Sequence, residues 1–336
     1  MRAACVSGSG TFEVRDVDTP TPGPGEVVVR VRSCGICGSD LHSYRGHFPM
    51  MPGMIMGHEI AGEVSDVGEG VRQVKAGDRV AIEPLVVCGK CAYCRSGQYQ
   101  HCGSRSLLGI MTPGGFAEYV KAPASMLYEV PNSVPFEVAA LVEPLAVAVH
   151  GLRLVHLEGG ERVCVLGAGT IGLVSALAAK ALGASAVSVS ARYDHQRAAA
   201  ASLGAQAVDA TNPGEMLGGV QPDIVVETVG GSADTINQAI QLLRPGGRVS
   251  VLGLFMSQVS VNMAFALLKE IAIVGGITYD RHGLLSDFDI AVDIATRYTA
   301  ELAGIVTHRI SLDDIARGFE TAADKATKSI KVTVTP

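Results

Sequence analysis

"RVCVLGAGTIGLVSALAAKALGA", residues 162 to 184, reads as an apolar strand, a glycine-rich turn and an Ala/Leu-rich helix in a single run. Gly167, Gly169 and Gly172 give it the spacing G-x-G-x-x-G. In a chain with 40 glycines that spacing alone is weak evidence. Its place between a strand and a helix gives it meaning. The first glycine permits a tight turn, the second lets backbone approach a pyrophosphate, and the third lets the helix pack on the strand. The N–H groups that open the helix, at Thr170 and Ile171, add a partial positive charge suited to phosphates. The run predicts the first half of a dinucleotide-binding fold.

The alternation continues downstream. "AVSVSAR" is a second strand, "YDHQRAAAASLGA" a second helix, and "DIVVETVG" and "GRVSVLGLF" are further apolar strands. Strands alternating with helices predict a doubly wound α/β unit, a parallel sheet covered on both faces. Before residue 150 the texture differs. "EVVVRVRSCGI", "AGEVSDVG", "DRVAIEP" and "GGFAEYVKAP" are short β-rich runs broken by Gly and Pro, the mark of an irregular antiparallel domain. After Tyr279 the chain is mixed again, ending in the strand "SIKVTVT".

The end of the second strand bears on the choice between NAD and NADP. An Asp or Glu there would bond the adenosine ribose and repel a 2′-phosphate. Ala191 occupies that position, next to Arg192. Asp194 comes three residues later and is expected to cap the following helix. Ser190, Arg192 and Arg197 are candidates to hold a 2′-phosphate, the arginines through bidentate contacts. The local logic favours NADP over NAD.

Four of the eight cysteines fall in "CGKCAYCRSGQYQHC", residues 88 to 102. Cys88, Cys91, Cys94 and Cys102 can surround one tetrahedral zinc ion, and four thiolates would fill every coordination position. Such a metal is structural. Cys5, Cys34 and Cys164 lack partners at ligand spacing and are read as small buried hydrophobes, and His101 as an exposed loop residue. A second ligand set lies in "CGICGSDLH" and "GHEIAGEVSDVGEGV". There Cys37, His58 and Glu59 supply thiolate, imidazole and carboxylate, which leaves a zinc position open for substrate. Glu143, in the apolar run "LVEPLAVAVH", needs a compensating cation or proton, which the same metal would provide. Asp40 is placed to orient His58. The bland alternative is that Glu59 and Glu143 are ordinary ion-pair partners.

Bulk properties exclude other classes. A length of 336 residues with 48% hydrophobic content suits two ordinary cores. A net charge of -6 argues against general nucleic-acid binding, and Lys90 and Arg95 are the only basic residues of the cysteine loop. The uncharged run Val249 to Leu268 is interrupted by Ser257, Gln258, Ser260 and Asn262, so it reads as strand, turn and helix rather than a membrane span. The start "MRAACVSGSGTFEVRDVDTP" lacks a basic-then-apolar layout, and a cytoplasmic location is expected.

Taken in order, G-H-E-x2-G-x5-G-x2-V from Gly57 to Val71, the four-cysteine loop, "GGFAEYV", "EPLAVAVH" and the late G-x-G-x-x-G resemble the zinc-dependent medium-chain alcohol dehydrogenase family over essentially the whole chain. The glutamate after His58 and the "EPL" motif are most similar to its polyol (sorbitol dehydrogenase-like) and threonine dehydrogenase branches. The resemblance implies a GroES-like catalytic domain from residues 1–150 with 285–336, and a Rossmann domain from 151–284. It implies two zinc ions per chain, a catalytic one at Cys37, His58 and Glu59 and a structural one in the cysteine loop. Glu143 is then at the catalytic metal, directly or through water, and Ser39 and His42 resemble a proton relay. Tyr44, His47 and Phe48 are expected to line the substrate pocket. The implied reaction moves hydride between a small-molecule secondary alcohol (a polyol, sugar acid or vicinal diol) and a nicotinamide cofactor. The implied assembly is a homodimer or homotetramer, and the apolar late strands "GRVSVLGLF" and "IAIVGGITY" are expected to pair with a neighbour's sheet edge. A threonine-type amino-alcohol dehydrogenase and a non-catalytic nucleotide-binding protein remain the alternatives.

Overall fold

Arg162–Leu166 forms a strand whose residues after Arg162 are all buried, as an apolar run covered on both faces must be. It lies inside a six-stranded sheet, in a computed structural model that describes residues 1–8, 10–209, 212 and 219–336. The strand order is Gln206–Asp209, Ala186–Ala191, Arg162–Leu166, Ile224–Glu227, Arg248–Val251 and Ala272–Gly275, and every adjacent pair is parallel. Helices Thr170–Ala181, Asp194–Ser202 and Thr235–Leu242 follow the first, second and fourth strands in sequence. The first strand sits between the second and the fourth, so the winding reverses beside it. In a doubly wound sheet that reversal is where the ligand crevice opens. Leu166 pairs in register with both Ser190 and Glu227, so three strands finish level at that point.

This sheet belongs to a unit comprising Pro144–Tyr279; Met1–Glu143 and Asp280–Pro336 form the other unit. One boundary falls within the helix Val142–Leu154. In the outer-edge strand Ala272–Gly275, Ile273 is 39% exposed, and the preceding helix Met263–Leu268 leaves Leu267 and Leu268 largely exposed. The uncharged run Val249 to Leu268 divides between strand Arg248–Val251 and that short helix. Among the described residues no helix is long and apolar enough to cross a membrane.

The other unit is built on a seven-stranded sheet. Its central strand, Glu26–Gly35, pairs antiparallel with Glu59–Val67, with Lys331–Thr335 and with Tyr119–Pro123. The register Gly35↔Glu59 sets the end of one strand against the start of the other. Cys37 follows the first end and His58 precedes the second start. Residues 21 apart in sequence therefore come to one place. Helix Gly38–Tyr44 begins immediately after Cys37, which stands at its N-cap. Behind this corner lies a core with Phe116 and Phe319 at its centre, their rings edge to face at 5.8 Å.

Candidate active site

Backbone turns gather the cysteine loop. The sulfurs of Cys88, Cys91, Cys94 and Cys102 all lie within 4.8 Å of one another. Cys91 to Cys94 is 3.5 Å and Cys88 to Cys94 is 3.9 Å. Zn–S bonds of ~2.3 Å in a tetrahedron place sulfurs ~3.8 Å apart, so the set fits zinc without rearrangement. Backbone N–H groups of Lys90 and Cys91 push the Cys88 thiol down to about 6, while burial and its sulfur neighbours push Cys94 up to about 12. His101 is exposed and sits edge to face with Tyr93, outside the sulfur cluster. Cys5, Cys34 and Cys164 are all buried.

His58 is buried beside a carboxylate. Its Nδ1 lies 3.6 Å from Asp40 Oδ1, and its Nε2 lies 3.4 Å from Ser39 Oγ. The other Asp40 oxygen accepts a 2.9 Å bond from the Cys37 N–H. Asp40 thus braces the thiol-bearing turn and sets its charge beside the imidazole without a hydrogen bond to it. Burial opposes a charge on His58, yet Asp40, Cys37 and Glu143 together hold its pKa well above the usual imidazole value. His42, on the same helix as Ser39, has its Nδ1 3.0 Å from His47 Nδ1. Burial, then His47 and Arg45, pull the His42 pKa down.

Glu59 faces elsewhere. Lys331, itself buried, donates to Glu59 Oε2 at 2.6 Å, to Glu59 Oε1 at 2.7 Å and to the Ile36 carbonyl at 3.1 Å. All three ammonium protons are used. A Cβ at Gly35 would meet Glu59 Oε2 at 1.8 Å, so only glycine fits beneath this carboxylate. Among the described residues Cys37, His58, Glu59 and Glu143 do not gather as tightly as the four cysteines.

In the other unit the glycine turn is formed as its spacing requires. Gly167 has φ +102 and its N–H donates to Ser190 Oγ at 3.0 Å. A Cβ on Gly172 would meet the Gly167 carbonyl at 1.9 Å, whereas one on Gly169 would meet nothing within 4 Å. The second glycine thus borders open space beside the N-terminus of helix Thr170–Ala181, the place a pyrophosphate would take.

Residues 23–132 match the alcohol dehydrogenase GroES-like domain family and residues 170–296 the zinc-binding dehydrogenase family. The sorbitol dehydrogenase of Halalkalibacterium halodurans is 34% identical over 98% of this chain and 97% of its own. The chain belongs to the zinc-dependent medium-chain alcohol dehydrogenase family. The L-threonine 3-dehydrogenase of Pyrococcus abyssi is 40% identical over 79% of each chain. Two solved structures share the fold over their whole length. A zinc-binding dehydrogenase from Sinorhizobium meliloti, bound to NADP, has a TM-score of 0.89 and 31% identity, covering 100% of this chain and 99% of that one. An alcohol dehydrogenase from Escherichia coli, complexed with NADH, has a TM-score of 0.91 and 28% identity over the same shares.

Within this dehydrogenase the strand Ala186–Ala191 ends at Ala191, which is buried. Ser190 is buried too, its hydroxyl engaged by Gly167, so it serves the turn. Arg197 donates to the Ala191 and Arg192 carbonyls at 3.1 Å each and pairs with Asp194 at 2.6 Å. That guanidinium braces the strand end. Asp194 is the first helical residue, with Tyr193 at the N-cap position where the sequence suggested the aspartate. The Arg192 side chain is exposed, and its guanidinium makes no hydrogen bond or ion pair among the described residues.

Sequence reasoning missed three buried groups of this enzyme. Lys331 lay inside "SIKVTVT", read only as a strand; a lysine flanked by apolar β residues was the available signal. Glu227, at the end of strand Ile224–Glu227, accepts from the Val229 and Gly230 N–H groups and the Thr235 hydroxyl at 2.8–2.9 Å, fixing the loop after that strand. Glu83 is buried and accepts a 2.9 Å bond from Tyr128, whose hydroxyl also contacts Ser286 Oγ at 3.1 Å.

Burial pushes the Glu83 carboxyl up from 4.5 to about 7, against the pull of Tyr128, Tyr99 and Arg281. A raised folded pKa favours the folded state at low pH. Stability is then lost as pH climbs from about 4.5 through about 7, by about 3 kcal/mol at most. Glu83→Gln is expected to flatten the pH dependence of Tm between pH 5 and 8. Parallel Tm–pH curves for the two proteins would exclude this role.

Proposed function

We propose that this dehydrogenase interconverts a secondary alcohol and its ketone with NADP+ as hydride acceptor, using a catalytic zinc in the unit that carries Cys37. The observation that carries the reading is the buried His58, held by Asp40 on one side and facing Ser39 on the other. Cys37 and His58 would hold the metal with a carboxylate from Glu59 or Glu143. Lys331 uses two of the four lone-pair directions of Glu59, so that carboxylate keeps acceptor capacity. When bound, zinc supplies Lewis acidity that lowers the pKa of the substrate hydroxyl. Ser39 accepts the hydroxyl proton, and His42 passes it outward; the His42–His47 contact supports an exit to solvent. A bound nicotinamide cofactor would supply the hydride acceptor, so that alcohol and oxidised cofactor would give ketone, reduced cofactor and one released proton. The second zinc is structural, held by Cys88, Cys91, Cys94 and Cys102. Identity to the threonine dehydrogenases supports an amino-alcohol substrate as the second reading.

NADP is preferred because Ala191 brings no carboxylate to the strand end and Arg192 is free to meet a phosphate. The 2′-phosphate adds about two negative charges, and a charge-assisted contact of about 1.5–3 kcal/mol is worth roughly ten- to a hundredfold in binding. Ala191→Asp with Arg192→Leu is expected to shift the ratio of kcat/KM values toward NAD+ by that factor. Steady-state kinetics with both cofactors test the proposal, and a wild-type kcat/KM for NAD+ at or above that for NADP+ would sink the NADP assignment.

A homodimer or homotetramer is proposed on the edge strand Ala272–Gly275, whose apolar outer side invites a second copy's strand. The segment "GRVSVLGLF" drops out of this role because its strand, Arg248–Val251, is hydrogen-bonded on both sides. Sedimentation is expected to show no active monomer at micromolar concentration.

A further inference from the structure

A cavity of ≈ 440 Å³ opens beside Ser39, within the size range of small-molecule sites. Its wall comes largely from the segment between helix Gly38–Tyr44 and His58, with Phe48, Met50, Met51, Met54 and Met56 lining it and Ile110 contributed by another loop. Phe48, Met51 and Ile110 are 37%, 66% and 45% exposed. Three large apolar side chains left open around one cavity are a patch rather than scattered surface residues. Its polar side chains are Ser39, Ser43 and Asp40. The Asp40 carboxylate is almost fully buried, with one oxygen accepting from the Cys37 N–H and the other 3.6 Å from His58 Nδ1.

We propose that this cavity takes the carbon arm of the substrate, and that the enzyme prefers an apolar secondary alcohol with an alkyl or aryl arm. This rests on the dehydrogenase reading above and names the substrate class of that site. Ser39 fixes the orientation, because its Oγ is 3.4 Å from His58 Nε2 while its side chain also borders the cavity. A hydroxyl delivered to Ser39 sends its carbons along the methionine wall. Unbranched thioethers adapt to varied apolar shapes. A sugar alcohol would bring several further hydroxyls against that wall, where two serines cannot satisfy them, and each unpaired one costs about 1–3 kcal/mol. A threonine-like ammonium would find, as its one acidic side chain in this lining, the buried Asp40 already paired in charge with His58. Each added methylene, by contrast, gains about 0.8 kcal/mol, roughly fourfold in binding.

The test is kcat/KM for 2-propanol, 2-butanol, 2-pentanol, 2-hexanol and 1-phenylethanol beside sorbitol and L-threonine, each with NADP+ and with NAD+. The expected result is a rise of roughly fourfold per methylene, with sorbitol and L-threonine at least ~100-fold below 2-hexanol. Met54→Ser should flatten that rise, and Ile110→Ser, on the exposed rim, provides a second variant if the first fails to fold. Saturation-transfer NMR should show 1-phenylethanol bound to the wild-type protein, sorbitol unbound, and the 1-phenylethanol signal reduced in the variants. A flat series, or sorbitol or L-threonine ahead of 2-hexanol, would overturn the apolar assignment and leave the dehydrogenase reading standing. Turnover of no alcohol with either cofactor would remove the dehydrogenase reading and this inference with it.

Discussion

Cys37→Ser is expected to cut alcohol turnover by about 10³-fold or more while leaving the fold and the cysteine loop intact. Cys37 sits at the N-cap of a short helix, half-buried, with its backbone N–H held by Asp40. Serine keeps the cap and the hydrogen bond, so local structure should survive. What it would lose is the sulfur proposed to hold the metal. Metal polarisation is worth several kcal/mol of barrier, and about 4 kcal/mol corresponds to 10³-fold. Cys91→Ser should behave in the opposite way. Its sulfur lies 3.5 Å from Cys94 in the closed set proposed to hold zinc, and metal binding of that kind would be coupled to folding, so the variant should lose solubility or melt at far lower temperature. Elemental analysis of each folded protein is expected to give about two zinc ions per chain for the wild type and about one for Cys37→Ser. A fully active protein without zinc would defeat both assignments. Equal loss of thermal stability in the two variants would show that the sites had not been assigned distinct roles correctly.

Local spacing made the glycine turn and the cysteine loop legible, because each is complete within a few residues. Gly167, Gly169 and Gly172 define a backbone shape that needs nothing from elsewhere, and the four cysteines likewise close on themselves. A division into two units was signalled by the change in texture near residue 150, although the boundary itself falls between Glu143 and Pro144. What stayed hidden depends on partners distant in sequence. Lys331 reaches Glu59 only because the strand Lys331–Thr335 joins the sheet beside Glu26–Gly35. Arg197 looked like a phosphate ligand from its charge and position, but strand-end carbonyls and Asp194 occupy it. Ser190 looked available and is turned inward to Gly167. The apolar segment 247–255 looked like an edge, because hydrophobicity does not say how many neighbours a strand has.

The Glu59–Lys331 pair turns that hidden contact into a measurable one. Both groups are almost fully buried, Lys331 2% and Glu59 1% exposed, and the ammonium has exactly as many acceptors as protons. Burial alone would lower the Lys331 pKa, yet the charges of Glu59 and Cys37 outweigh it and hold the lysine above its ordinary value. Lys331→Met keeps the length and apolar volume of the side chain but leaves a carboxylate without its cation. Breaking a buried pair in this way costs about 3–5 kcal/mol, enough to lower Tm by ~10 °C in a unit of this size. Glu59→Gln combined with Lys331→Met removes both charges and should recover most of that loss, since a neutral pair pays no ionic desolvation. The double variant should therefore be more stable than Lys331→Met alone, and a lack of activity in it would reflect the metal site rather than the fold. Urea unfolding of the four proteins in the cycle measures the coupling directly. A Lys331→Met protein within about 1 kcal/mol of wild type would mean that the carboxylate finds another counter-charge.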